Sequence, residues 1–345
     1  MTTPPRPSLR AALAAGPVVL DGGLSNQLEA QGCELSDELW SARLLADDPE
    51  QLRAAHAAYV RAGAQVLITG SYQASFEGFA RRGVDRREAA GLFRRSVQLA
   101  RAAAESGTGP HAGRRGADGD GAPVRTGVPG GVRGVQAAVW VAGSVGPYGA
   151  VRADGSEYRG RYGLSVRELA AFHRPRAVAL AEAEPDVLAL ETVPDVTEAE
   201  ALLRAVRGLG TPVWLSYTIE GGRTRAGQPL ADAFALAAGE DDVLAVGVNC
   251  CTAADADAAV AEAAACSGKP VVVYPNSGEV WDARARAWRG EPTFPPPGCE
   301  RDTARLLAGW VARGARLLGG CCRVGPDGIA RLARQAPPVQ PSPGG

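Results

Sequence analysis

Lysine is almost missing from this chain: Lys269 is the only one among its 37 Lys+Arg residues. Arginine carries the remaining positive charge, and against 38 Asp+Glu the net charge is -1. That balance lacks the basic excess needed to bind a phosphate backbone, so nucleic acid is not an expected partner. Histidine is as scarce: His56, His111 and His173 are the only three, and neither His56 nor His111 suggests a triad or a histidine metal site. Long apolar runs are lacking too. No stretch approaches the roughly 20 apolar residues of a membrane span, and Met1 to Arg10 has no signal-peptide core. The expectation is a cytoplasmic protein with no membrane partner.

Cysteine, by contrast, occurs seven times, at 33, 250, 251, 266, 299, 321 and 322. In a reducing compartment these read as free thiols or metal ligands, not as a disulfide framework. With 46% hydrophobic residues in 345, the chain has ample material for a large core.

Eight short apolar runs recur along it: Pro17 to Asp21, Gln65 to Thr69, Ala137 to Gly143, Asp186 to Glu191, Pro212 to Tyr217, Leu244 to Asn249, Pro270 to Tyr274 and Ala315 to Gly319. Most lack polar alternation, as strands buried on both faces of a parallel sheet do. Helical periodicity fills the intervals. In 51–62, Leu52, Ala55, Tyr59 and Val60 share a face, Asp195 with Glu198 has the form of an N-terminal cap, and Pro326 suits a first helical turn. Pro175 should bend or delay the helix that contains it. Eight β/α alternations with no strand left over predict an α/β fold, a single-domain (β/α)8 TIM barrel over 16–335. Around it the reading expects a flexible tail at 1–15, a mobile Gly-rich insertion at about 106–134, an irregular loop from Arg289 to Cys299, and a disordered tail at 336–345.

Active sites of such barrels lie at the C-terminal strand ends. Asp21, Glu191, Asn249-Cys250, Tyr274-Pro275-Asn276 and Cys321-Cys322 all fall there. Cysteines from strands six and eight can meet at one rim, where three thiolates and an open position would suit Zn2+. A buried small residue is the plainer reading of each cysteine, and capping or ion pairing is the plainer reading of Asp21.

The runs DGGLSNQLEAQG at 21–32, AGSVGPYGA at 142–150, DGSEYRGRY at 154–162, ALETVP at 189–194, GVNC at 247–250, YPNSGEVWD at 274–282 and GGCCR at 319–323 together resemble the homocysteine S-methyltransferase family. The likeness covers about 16–335 and is nearest to the shorter branch, whose methyl donor is S-methylmethionine or S-adenosylmethionine. It implies that Cys250, Cys321 and Cys322 bind zinc, with GVNC favouring Cys250 over Cys251. It also implies that Asp21 and Glu191 hold the ammonium group of L-homocysteine, and that no separate protein nucleophile is needed.

Around these, Gly22, Gly23, Tyr72, Gln73, Tyr148, Asn249, Asn276 and Trp281 are candidates for the substrate or donor pocket. Tyr72, Tyr148 and Trp281 could face a sulfonium through cation–π attraction. His173, in the run FHRPR, matches a family position with no chemical role evident from sequence. Competing readings are another thiol or selenol acceptor, betaine as donor, and a zinc-thiolate redox sensor. A barrel acting on a phosphorylated metabolite ranks last, because GGCC stands where the glycine-rich phosphate turn would be. Oligomeric state is left open.

Overall fold

The computed structural model describes residues 6–35, 39–107, 138–282, 287–296, 298 and 300–337. Eight parallel strands form its centre: β1 (Val18–Val19), β2 (Val66–Ile68), β3 (Trp140–Val145), β4 (Val187–Val193), β5 (Val213–Tyr217), β6 (Val243–Asn249), β7 (Val271–Tyr274) and β8 (Ala315–Leu318). From β2 onward each pairs with the next, and β8 pairs with β1. A parallel bridge from Leu20 to Val66 closes the remaining gap. There Gln65 N–H donates to Val19 C=O at 2.7 Å and Asp21 N–H to Val66 C=O at 3.0 Å. The sheet has no open edge, and the expected (β/α)8 TIM barrel is what the chain forms.

Successive side chains of a strand point to opposite faces, and here both faces are apolar. In β4, Val187 and Ala189 join Trp140, Trp214 and Tyr274 inside the barrel, while Leu188 and Leu190 pack in the layer beneath the helices. That double burial is why a run such as Val-Val-Val-Tyr at 271–274 shows no alternation. The helices start where side chains satisfy their free N–H groups. Ser165 and Glu168 make a reciprocal capping box for Val166–Ala181. Asp195 accepts from Thr197 N–H ahead of Val196–Val206, and Pro326 opens Pro326–Gln335.

Several expectations need correction. The segment assigned to a flexible N-terminal tail contains a helix, Leu9–Ala15, whose Leu9 and Leu13 pack into the barrel interior. Trp140 Nε1 donates to Pro7 C=O at 3.0 Å and Arg10 Nη2 to Asp241 C=O at 2.8 Å, so this segment covers the N-terminal end of the barrel. Two leucines in so short a run left too faint a signal to read. Strand three ends later than expected, because Ser144 and Val145 pair with Ala189 and Leu190. Pro175 does not delay its helix, which the capping box starts upstream. Two small hairpins, Ile219–Glu220 with Arg223–Thr224 and Val280–Asp282 with Ala287–Arg289, were not anticipated, and the second takes the first residue of the expected 289–299 loop. The expected insertion from 108 onward and the C-terminal tail from 338 onward lie outside the described residues.

Candidate active site

At the end of β6 the chain turns sharply: Cys250 has φ 51, a left-handed conformation that costs a non-glycine residue energy and needs support. Support comes from both sides. Cys250 N–H donates to Tyr274 C=O at 3.3 Å, and Thr218 Oγ1 donates to Cys250 C=O at 3.1 Å. Beyond β8, Cys321 N–H donates to Pro275 C=O at 2.8 Å, Cys322 N–H to Asn276 Oδ1 at 3.1 Å, and Ser277 N–H to Cys322 C=O at 3.0 Å. The ends of β6, β7 and β8 are thereby stitched together.

The outcome is a cluster of three sulfurs. The Sγ atoms of Cys250, Cys321 and Cys322 lie within 4.8 Å of one another, and Cys250 and Cys322 are 3.7 Å apart. Tetrahedral sulfurs at about 2.3 Å from a zinc ion stand about 3.8 Å apart, so the cluster fits a metal ion. Among the described residues no other three Cys, His, Asp or Glu side chains are grouped this way. Cys321 and Cys322, as hydrogen-bonding neighbours, draw the Cys250 thiol well below its ordinary pKa and are themselves raised. Cys251 belongs elsewhere: it packs in the apolar layer beneath the helices, and burial pushes its thiol up.

Two buried carboxylates share the mouth. Asp21 is 1% exposed; its Oδ2 accepts from Ile68 N–H at 2.9 Å, while Oδ1 is buried with no partner among the described residues. Burial, and then the charge of Glu191, hold its pKa well above the usual range. Glu191 accepts from Ser144 Oγ and, at 3.0 Å, from Tyr274 OH. Burial still raises it to about 7, against the lowering effect of those two bonds. An anion left partly unpaired in a low-dielectric pocket is costly unless a cation completes it.

The asparagines turn out to be occupied. Asn249 Oδ1 accepts from Thr192 N–H at 2.8 Å and Ser216 Oγ at 2.9 Å, and Nδ2 donates to Thr192 Oγ1 at 2.8 Å. It locks β4 to β6, as Asn276 locks Cys322. Gly22 and Gly23 also serve close approach. A Cβ on Gly22 would stand 2.0 Å from Val324 O, and one on Gly23 would stand 2.8 Å from Cys321 O. Their smallness lets the turn after β1 lie against the cysteine turn.

The aromatic candidates divide. Tyr72, half-buried after β2, is near enough to Cys250 and Glu157 that, after burial, their charges raise its phenol pKa. Gln73 is half-buried beside it. Tyr148 is engaged by other rings, Tyr162 at 5.2 Å and Phe172 at 4.9 Å between centroids. Trp281 sits in the Val280–Asp282 strand, and its side chain lies outside the described residues.

Sequence reasoning missed Tyr158 and Glu157. Tyr158 OH stands 3.4 Å from Cys250 Sγ, and the loop is held by Arg225 Nε donating to Tyr158 C=O at 3.0 Å. Glu157 has a buried Oε2 with no partner among the described residues, and its pKa is raised by burial and then by Cys250. Both lie in the DGSEYRGRY run, which carries the family resemblance but has no strand or helix period from which to place a side chain.

The family model described as homocysteine S-methyltransferase matches residues 18–336. The chain belongs to the homocysteine S-methyltransferase family. A relative named homocysteine S-methyltransferase from Escherichia coli (strain K12) is 43% identical over 319 residues, 91% of this chain and 94% of that one. Homocysteine S-methyltransferase YbgG of Bacillus subtilis (strain 168) is 39% identical over 321 residues, 92% of this chain and 94% of its own. The crystal structure of the homocysteine methyltransferase MmuM from Escherichia coli in its metallated form matches with a TM-score of 0.76 at 40% identity, covering 95% of this chain and 99% of that one. Among the described residues of this family member, no helix is long and apolar enough to cross a membrane.

Proposed function

We propose that this enzyme transfers a methyl group from a sulfonium donor, S-methylmethionine or S-adenosylmethionine, to L-homocysteine, giving methionine. The observation that carries the reading is the pairing, in one barrel mouth, of a three-sulfur cluster with a buried carboxylate whose Oδ1 lacks a partner. Cys250, Cys321 and Cys322 would hold zinc, which when bound keeps a substrate thiol deprotonated at neutral pH and, with three thiolate ligands, leaves its sulfur electron-rich.

The chain's own residues supply the rest. Asp21 and Glu191 receive the ammonium of homocysteine, the cation that their burial leaves them wanting. The Tyr72 and Tyr158 rings offer faces to a sulfonium, and Glu157 adds a negative charge beside them. In the transfer, the homocysteine sulfur forms a bond to the methyl carbon as the donor's sulfur–methyl bond breaks. The bonding pair returns to the donor sulfur, so no protein nucleophile or redox step is required, and positioning is the main task.

The test is to incubate zinc-loaded, reduced protein with L-homocysteine and either S-methylmethionine or S-adenosylmethionine, and to quantify methionine against a Cys322→Ala control. Methionine from the unmutated protein alone supports the reading, and the faster arm names the donor. A zinc-replete protein that makes none in either arm overturns it.

A further inference from the structure

Behind β3 and β4, away from the sulfurs, the helices bury three groups whose presence the proposed reaction does not by itself explain. Arg176 and His173 lie on Val166–Ala181, and Glu198 lies on Val196–Val206; all three are essentially inaccessible to water. A buried guanidinium is expensive, and it is tolerated only where its hydrogen bonds and charge are met. Here the two terminal nitrogens are met, chiefly by the backbone of two mouth loops, while Nε is buried with no partner among the described residues. Arg176 Nη2 donates to Tyr72 C=O at 2.9 Å, and Nη1 donates to Gly146 C=O at 3.0 Å. One planar side chain thus joins the loop after β2 to the loop after β3, a fork geometry that lysine cannot reproduce.

Its charge is balanced through His173. Glu198 Oε1 is 3.0 Å from His173 Nε2, and Arg176 Nη1 is 3.4 Å from His173 Nδ1. A carboxylate facing Nε2 assigns the proton there, which leaves Nδ1 to accept from the guanidinium: one neutral tautomer satisfies both contacts. The same Glu198 Oε1 accepts from Tyr148 N–H at 2.6 Å, fixing the start of the short helix Tyr148–Arg152. That helix leads into the loop carrying Glu157 and Tyr158.

The loops are also in tight contact with each other. A Cβ on Gly146 would fall 2.6 Å from Tyr72 Cδ2, so Tyr72 lies directly on that glycine. Any slip of one loop moves both aromatic residues relative to Cys250.

We infer that Arg176, His173 and Glu198 are positioning residues for the methyl donor: they touch no substrate, and they set the donor side of the pocket by clamping Tyr72 and the 146–158 loop. This rests on the proposed methyl transfer and gives the FHRPR run a task. Because the cysteines are held by backbone bonds at the ends of β6 to β8, and Asp21 and Glu191 by bonds to Ile68, Ser144 and Tyr274, the acceptor side should respond far less to the clamp than the donor side.

The experiment uses the zinc-loaded full chain with Arg176→Lys, His173→Gln and Glu198→Gln, each carried through the methionine assay beside the unmutated enzyme. The expected result is a donor KM raised about tenfold or more, the size of one lost hydrogen bond to a charged group. Zinc content and homocysteine affinity, measured by calorimetric titration, should stay within about twofold of the unmutated values, inside the variation of a substitution that removes no contact. A cycle combining Arg176→Lys with Tyr72→Ala should be non-additive, since Arg176 is held to act through Tyr72. His173→Gln keeps a donor toward Glu198 and serves as the mild variant should the others fail to fold. An unchanged donor KM in folded variants, equal losses of zinc or homocysteine binding, or an additive cycle each overturns the clamp. An unmutated enzyme that makes no methionine from either donor overturns the reaction, and the clamp's role falls with it.

Discussion

On the β6 to β8 side of the mouth, the cysteines follow closely on strand ends and are fixed by hydrogen bonds from their own backbone to residues 274–277. On the β2 to β4 side, Tyr72, Glu157 and Tyr158 stand on loops that the strands do not fix, and side chains from the outer helices hold them: Arg176, His173 and Glu198. The first half draws its geometry from the barrel. The second draws it from tertiary packing of side chains that are far apart in sequence. A chemistry that activates one sulfur can be tied to the rigid framework, whereas recognition of a second substrate is left to parts that loop changes can retune.

This contrast can be broken most severely at the cysteines. Cys250→Ala should lose metal and lower turnover by roughly a thousandfold or more, the several kcal/mol that a metal-held nucleophile supplies. Cys251→Ala, one residue along but facing the helices, should retain both; metal analysis beside methionine formation reads the difference. Next comes the ammonium site proposed for the acceptor. Asp21→Asn should raise homocysteine KM by about 10- to 100-fold, as loss of a charge-assisted hydrogen bond does, with zinc content unchanged.

The pH dependence bears on the proposed ammonium site, to which β4 contributes Glu191. Glu191, raised by burial to about 7, is a neutral acid below that pH and attracts an ammonium only above it. Homocysteine KM should therefore climb as pH falls below about 7, by up to about tenfold per unit, and level off above it. Glu191→Gln should flatten that slope while weakening binding at every pH, a comparison that separates this carboxylate from the pH dependence of metal binding itself. The smallest effect belongs to the loop side. Glu157→Gln should raise donor KM by about fivefold, near the 1 kcal/mol of a partly exposed charge interaction, and leave homocysteine KM alone.

Legibility followed the same division. The eight strands could be read because double burial forces continuous apolar runs, and the cysteines, Asp21 and Glu191 could be placed because a strand end fixes where its next residue goes. Tyr158 could not: nothing between 145 and 158 specifies that the loop folds back until its hydroxyl meets Cys250. Glu198 has the spacing of a helix-cap partner, three residues after Asp195. Asp195 does cap, but Glu198 turns inward, drawn by a buried histidine and a free Tyr148 N–H. Asn249 and Asn276 do lie at the mouth, but Asn249 is bonded to Thr192, Ser216 and Cys321 Sγ, and Asn276 Oδ1 is taken by Cys322 N–H.

The helix Leu9–Ala15, with its two leucines lodged among the inward-facing residues, stoppers the far end of the barrel. Trp140 and the other inward-facing side chains are thereby kept from water where the strands begin. A stretch with the look of an appendage is in fact the last layer of the core, and cutting it away would wet the barrel's filling while leaving every residue of the mouth in place.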